Sequence, residues 1–141
     1  FNFKTKQQSF TSFYNLLKIV YYFFMNFTKS IEVCFKKFAT FDGRAKKSEF
    51  WWFQLFCLIV ELTGIIFDHL MGYESGFFEL VAYVIVLLPS LAVGARRLHD
   101  TGRSGWWQLL YLTVIGIIVL IVWWVADGDK KKNKFGQPIK L

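Results

Sequence analysis

Apolar positions in this chain fall into long blocks, with the polar positions gathered between them. Phe50 to Phe67 holds one charged side chain, Glu61; Phe77 to Ala95 holds one, Glu79; Trp106 to Ala126 holds none. No lysine or arginine occurs between Lys47 and Arg96. A helix with one face on water carries polar residues at the helical period. Blocks of this length without such a face read as bilayer spans, and helices are the natural solution because their backbone bonds are internal. The pattern predicts an all-α fold: a small polytopic membrane helical bundle with three transmembrane helices, near residues 50–67, 77–95 and 106–126.

The ends of these blocks carry interfacial signals. Trp51 and Trp52 open the first, Trp106 and Trp107 open the third, and Trp123 and Trp124 close it. All six are expected at lipid headgroup level, where an amphipathic ring is half wet. The spacing within the third block suits one full crossing of the hydrocarbon. Ser48 is a candidate cap for the first span, with Glu49 in its first turn. Gly72 and Gly76 mark a short link, and Pro89 is expected to kink the second span.

Upstream, Phe27, Ile31, Phe35 and Phe38 recur at helical spacing among lysines. They predict an amphipathic helix on the membrane surface. Residues 1–24 either extend this interfacial segment or represent upstream sequence before a start at Met25. Residues 25–141 form a single membrane domain.

Charge refines this picture. The net charge is +7, yet only 19% of residues are charged and 55% are hydrophobic. The basic residues lie in the flanks of the apolar blocks. That placement suits the lipid bilayer and its anionic headgroups as partners, and no nucleic acid. Cys34 and Cys57 make neither a metal cluster nor a disulfide framework. No metal site and no cofactor is expected.

Three segments resemble a family of small bacterial inner membrane proteins known as domain of unknown function 805. They are Phe41-Asp42-Gly43-Arg44 through Glu49-Phe50-Trp51-Trp52, Arg96-Arg97-Leu98-His99-Asp100-Thr101-Gly102-Arg103-Ser104-Gly105-Trp106-Trp107, and Gly128 through Asn133-Lys134-Phe135-Gly136-Gln137-Pro138. The last departs from the family's usual ending at Gln137. The resemblance covers residues 27–138 and implies a multi-pass plasma-membrane protein. It supplies no substrate.

Several residues are candidates for structure or chemistry: Arg44, Glu49, Glu61, Arg96, Arg97, His99, Asp100 and Arg103. Glu61 is an intramembrane carboxylate, which is costly there and points either to an ion or proton path or to hydrogen-bonded packing. His99 and Asp100 offer acid–base groups, but no nucleophile is placed beside them. In the structural reading, Arg97 or Arg103 pairs with Asp100. In the alternative, Arg96, Arg97 and Arg103 bind lipid phosphate. Asp127, Asp129 and Asn133 do not make a calcium loop, since Lys130-Lys131-Lys132 interrupts them.

The function expected is a non-enzymatic envelope or interaction protein, as a homo-oligomer or with a membrane-protein partner. The alternative is a subunit of a small transporter or channel using Glu61. Basic flanks place the N-terminus in the cytoplasm. Three crossings then strand the lysine-rich tail outside. Two alternatives are a re-entrant third segment, against which the tryptophan spacing favours a full crossing, and a further span over residues 10–28, which alters the parity without removing the conflict among the basic flanks.

Overall fold

The computed structural model describes residues 3–139; residues 1–2 of the N-terminal segment and 140–141 of the tail lie outside the described residues. Four α-helices and one 3₁₀ helix make up the fold. They are α1 (Phe3–Lys36), α2 (Lys47–Met71), α3 (Phe77–Asp100), the 3₁₀ helix (Gly105–Leu112) and α4 (Val114–Val125). Among them α2 and α3 are long and apolar enough to cross a membrane.

Helices α2 and α3 form an antiparallel hairpin. Its turn is set by Gly72, which ends α2 with φ +71°, a left-handed value that glycine adopts without strain. The Gly72 and Tyr73 amides then donate back to the carbonyls of His69 and Asp68. No side chain caps α3 from its own N-terminus. Asp68 of α2 reaches across instead, and its carboxylate accepts from the amides of Phe78 (3.0 Å) and Glu79 (2.8 Å). This satisfies two of the donors that a helix start leaves free. Four residues earlier, Gly64 lets the helices touch: a Cβ there would lie 2.9 Å from the backbone of Phe78 and Glu79. Further along, Gln54 donates to Ser90 at 3.1 Å. At the open end the Ala45 amide meets the Arg96 carbonyl at 2.9 Å. Helix α3 continues through the buried Pro89. Helix α2 starts one residue before Ser48, with Lys46 at the cap position and no side-chain cap bond.

The third apolar block is not one continuous helix. It breaks at Thr113, whose extended backbone separates the 3₁₀ helix from α4. The Thr113 hydroxyl accepts from the Gly116 amide at 3.0 Å and so caps α4. Threonine offers the backbone this local alternative to a continued helix. The two pieces fold against each other, and the Trp107 and Trp123 rings lie 5.7 Å apart edge to face. Both ends of the hairpin sit beside the same stretch of α3. Gly105 packs on Ala95, and the Trp124 indole donates to the Gly94 carbonyl at 3.3 Å. The two tryptophan pairs therefore share one end of the molecule, which overturns the expectation of a straight span over 106–126.

The core gathers at the open end of the α2–α3 hairpin. Cys34, Ala45, Phe50, Phe53, Cys57, Val86, Val93, Leu98, Leu120 and Trp124 form one buried cluster. Toward the link, Leu58, Leu62 and Ile66 of α2 and Leu80, Val84 and Ile85 of α3 are exposed. Exposed apolar surface on this scale is foreign to a monomeric soluble protein. Helix α1 packs on α2 through Phe23 and Phe27 against Trp52, and through Phe35 against Phe53 and Phe56. Among its described side chains, Ser30 and Cys34 are the buried ones. Phe38, expected in the same stripe, lies beyond the helix and is exposed.

Candidate functional site

Arg44 stands in the segment before α2, Arg97 and Asp100 on the last turn of α3, and Gly128 and Asp129 in the tail after α4. The folds of the two hairpins bring these distant segments to one place. Asp100 is shared by two arginines, one oxygen each: Arg44 Nε lies 2.7 Å from Oδ1, and Arg97 Nη1 lies 2.5 Å from Oδ2. The side chains of Arg44 and Arg97 are 2% and 0% exposed. A single buried charge here would be expensive, and mutual pairing plus saturated hydrogen bonds compensates it.

The remaining guanidinium donors go to backbone carbonyls. Arg44 donates to the carbonyls of Lys131 and Asp129 in the tail. Arg97 donates from Nε to the Trp124 carbonyl at 3.1 Å and from Nη2 to the Ala126 carbonyl. Those two carbonyls belong to the free C-terminal end of α4, where positive charge is favourable. Sequence reasoning offered Arg97 or Arg103 as the partner of Asp100, and the structure pairs it with Arg97. That reasoning missed Arg44 as the second partner, since nothing in spacing ties residues 56 apart.

A second pair lies alongside. Arg96, 1% exposed at its side chain, holds Glu49 at 2.7 Å. His99 donates from Nδ1 to the Gly43 carbonyl at 3.1 Å. Its ring stacks on Phe135 with centroids 3.8 Å apart. Asn133 ties the tail down by donating to the His99 carbonyl at 2.9 Å and to Asp129 at 2.8 Å. The Asp129 amide donates to the Asp100 carbonyl at 2.8 Å. Gly128 is a residue that sequence reasoning did not single out: a Cβ at this position would collide with the Asp100 carboxylate. On the rim, Lys47 pairs with Asp127 at 2.7 Å, and that contact holds the exposed Asp127 carboxyl below its usual range.

The other candidates lie apart. Arg103 donates to the Thr101 carbonyl and sits 4.8 Å over the Trp123 ring. Arg96 and Arg97 are buried and ion-paired within the protein, Arg96 to Glu49 and Arg97 to Asp100, as in the structural reading of this segment, while Arg96 Nε and Nη2 have no hydrogen-bond partner. Glu61 lies well along α2, half-buried. Among the tryptophans, Trp51, Trp106 and Trp107 are exposed, and Trp52 and Trp123 are half-buried. Trp124 is 3% exposed and packs on Phe50, a core residue in place of an interfacial one. Burial of Cys34 pushes its thiol up to about 12.

The knot is built from all three segments on which the resemblance rests. A family model described as protein of unknown function DUF805 matches residues 38–137, which contain every residue of it. The chain belongs to this family. Inner membrane protein YhaI of Escherichia coli K12 is 36% identical over 107 residues, covering 75% of this chain and 91% of that protein. Inner membrane protein YhaH of the same organism is 37% identical over 111 residues, covering 75% and 92%. The uncharacterized protein YiiR is 30% identical over 95 residues, covering 64% and 56%. No solved structure matches the chain. Family membership and the two long apolar helices together make this DUF805 chain a membrane protein.

Proposed function

We propose that this DUF805 protein is a non-enzymatic, multi-pass protein of the bacterial inner membrane that works by association with another membrane protein or with its own copies. One observation carries the reading: Arg44, Arg97 and Asp100, with the Arg96–Glu49 pair beside them, are spent on holding the chain together. Both Asp100 oxygens are taken by arginines, and His99, which donates from Nδ1 to the Gly43 carbonyl, keeps its remaining lone pair, at Nε2, on a buried ring stacked on Phe135. A general base needs a free lone pair within reach of a substrate proton. The knot instead fixes the polar end as a rigid platform, while the apolar faces of α2 and α3 remain open.

In the proposed topology α2 and α3 cross the bilayer, and residues 105–125 enter and leave by the same face. The 3₁₀ helix and α4 span roughly 16 and 18 Å, about half of a 30 Å hydrocarbon layer. Helix α1 lies along the surface. Phe23 and Phe35 are about 18 Å apart along α1, yet they meet α2 within its stretch from Trp52 to Phe56. So short a footprint implies a steep crossing near the polar end.

A photo-crosslinker placed at Leu62 or Val84 tests association in intact membranes. A discrete protein adduct is expected at these lipid-level positions, at either the mass of two copies or that of a distinct partner. Adducts to lipid alone, from both positions, would remove the reading.

A second reading, a small transporter or channel, is favoured by Glu61. Among the described residues it has no hydrogen bond or ion pair, and it shares a face of α2 with Gln54 and Cys57. Proton flux into liposomes that is abolished by Glu61→Gln would establish it; flux indistinguishable from empty liposomes would dismiss it.

A further inference from the structure

Beside the Arg44–Asp100–Arg97 bridge, at the start of α2, lies a cavity of about 670 Å³. The buried bridge forms part of its wall. Lys46, Lys130 and Trp51 also line it, with Lys47 and Asp127 already paired to each other. Among the lining residues five are cationic (Arg44, Lys46, Lys47, Arg97, Lys130) and three anionic (Asp100, Asp127, Asp129), leaving an excess of two positive charges. Neither Lys46 nor Lys130 makes a hydrogen bond or an ion pair among the described residues. The excess therefore resides on two lysines with free ammonium groups. An ammonium on a long stem is a mobile point charge suited to phosphate.

We infer that this cavity seats the phosphate-bearing headgroup of an anionic phospholipid. Lys46 and Lys130 take the phosphate, and the exposed Trp51 ring lies against the glycerol and upper acyl chains. The position argues for a lipid over a soluble anion. Lys46 and Lys47 are followed within three residues by Phe50-Trp51-Trp52, where the apolar surface of α2 begins. A headgroup held there leaves its acyl chains running down that helix, at the level where tryptophan anchors. The arginines of the signature have a different part in this arrangement. Held by Asp100 and by carbonyls, they shape the cavity and leave ligand binding to the lysines. The inference rests on the proposed topology only in placing the cavity at the cytoplasmic leaflet, whose anionic lipids attract such basic sites.

The test is native mass spectrometry of the full chain in non-ionic detergent, with equimolar phosphatidylglycerol and phosphatidylcholine of the same acyl composition. Phosphatidylglycerol is expected to be retained preferentially. The double variant Lys46→Gln/Lys130→Gln should lower its binding on the order of tenfold, with the unfolding temperature unchanged. Lys37→Gln/Lys132→Gln removes the same charge from exposed positions outside the cavity, and should keep the lipid. A third arm adds inorganic phosphate at the lipid's concentration, and the lipid should stay bound. Equal retention of the two lipids, equal loss in the two double variants, or displacement by inorganic phosphate would each overturn the inference. In detergent the outcome does not depend on which way the chain sits in a membrane, so a failed topology and a failed lipid site give different results.

Discussion

At the scale of single residues, Asp100 is the point where the three segments are joined. Replacing it by alanine leaves two buried guanidinium groups without their shared anion. The expected loss is about 3–5 kcal/mol, the cost of breaking a buried pair from one side. It should appear as a large drop in unfolding temperature in detergent. A double-mutant cycle between Arg44→Gln and Asp100→Asn should return a coupling of roughly 0.5–3 kcal/mol. Additive effects of the two changes would mean that the pair is not formed. Cys34 gives a second expectation. Its ordinary value of 9.0 is raised to about 12, first by burial. The folded state therefore keeps a proton that the unfolded chain gives up above pH 9. This contribution to stability is complete below pH 9 and is lost as the pH climbs toward 12. At pH 8 iodoacetamide should modify Cys34 only after denaturation; equal rates in native and denatured protein would contradict the burial. The sequence exposed the arginines and Asp100 as a group, because charge stands out between apolar blocks. Gly128 and Asn133 entered as parts of a resembling segment without a role, since steric fit and carbonyl capping leave no mark on charge or periodicity.

At the scale of elements, the α2–α3 hairpin was legible and the 105–125 hairpin was not. Hydropathy marks a segment as apolar without saying whether it is straight. Its uniform apolarity and terminal tryptophans suited a full crossing as well as a hairpin. The break comes from a small feature, Thr113 as a cap three residues before a glycine. Gly116 separates the two forms by the sign of an effect. In a straight helix Gly116→Ala should stabilise by about 1 kcal/mol, since glycine is the poorer helix former. In the hairpin the added Cβ runs into the Leu110 carbonyl, and overpacking of this kind costs roughly 1–3 kcal/mol. We expect a lower unfolding temperature for Gly116→Ala; a raised one would restore the single helix. Asp68 shows the same blindness to tertiary use. It reads as a polar link residue, and the fold employs it to cap the next helix.

At the scale of the whole molecule, the proposed re-entrant arrangement of the 105–125 hairpin would remove a conflict of charge that three crossings create. From Met25 onward there are fourteen lysines and arginines, and none lies between Lys47 and Arg96. Three crossings divide the fourteen between the two sides, with the lysine-rich tail opposite the Arg44 segment. Under the proposed topology, two crossings and a re-entrant hairpin would put all fourteen on one side, the cytoplasmic one by the positive-inside rule. The contacts of Arg44 with Asp100 and with the tail carbonyls support the same proposal, since groups in direct contact share a face of the membrane. Single cysteines at Gly72, Thr101 and Lys140 decide between the arrangements, in a background without Cys34 and Cys57. With an impermeant maleimide on intact inner-membrane spheroplasts, Gly72 should be labelled while Thr101 and Lys140 are protected until the membrane is permeabilised. Labelling of Lys140 alongside Gly72 would restore the third crossing and leave the contact of Arg44 with the tail without a membrane to accommodate it. Labelling of Thr101 with Gly72 protected would invert the molecule, against the charge distribution.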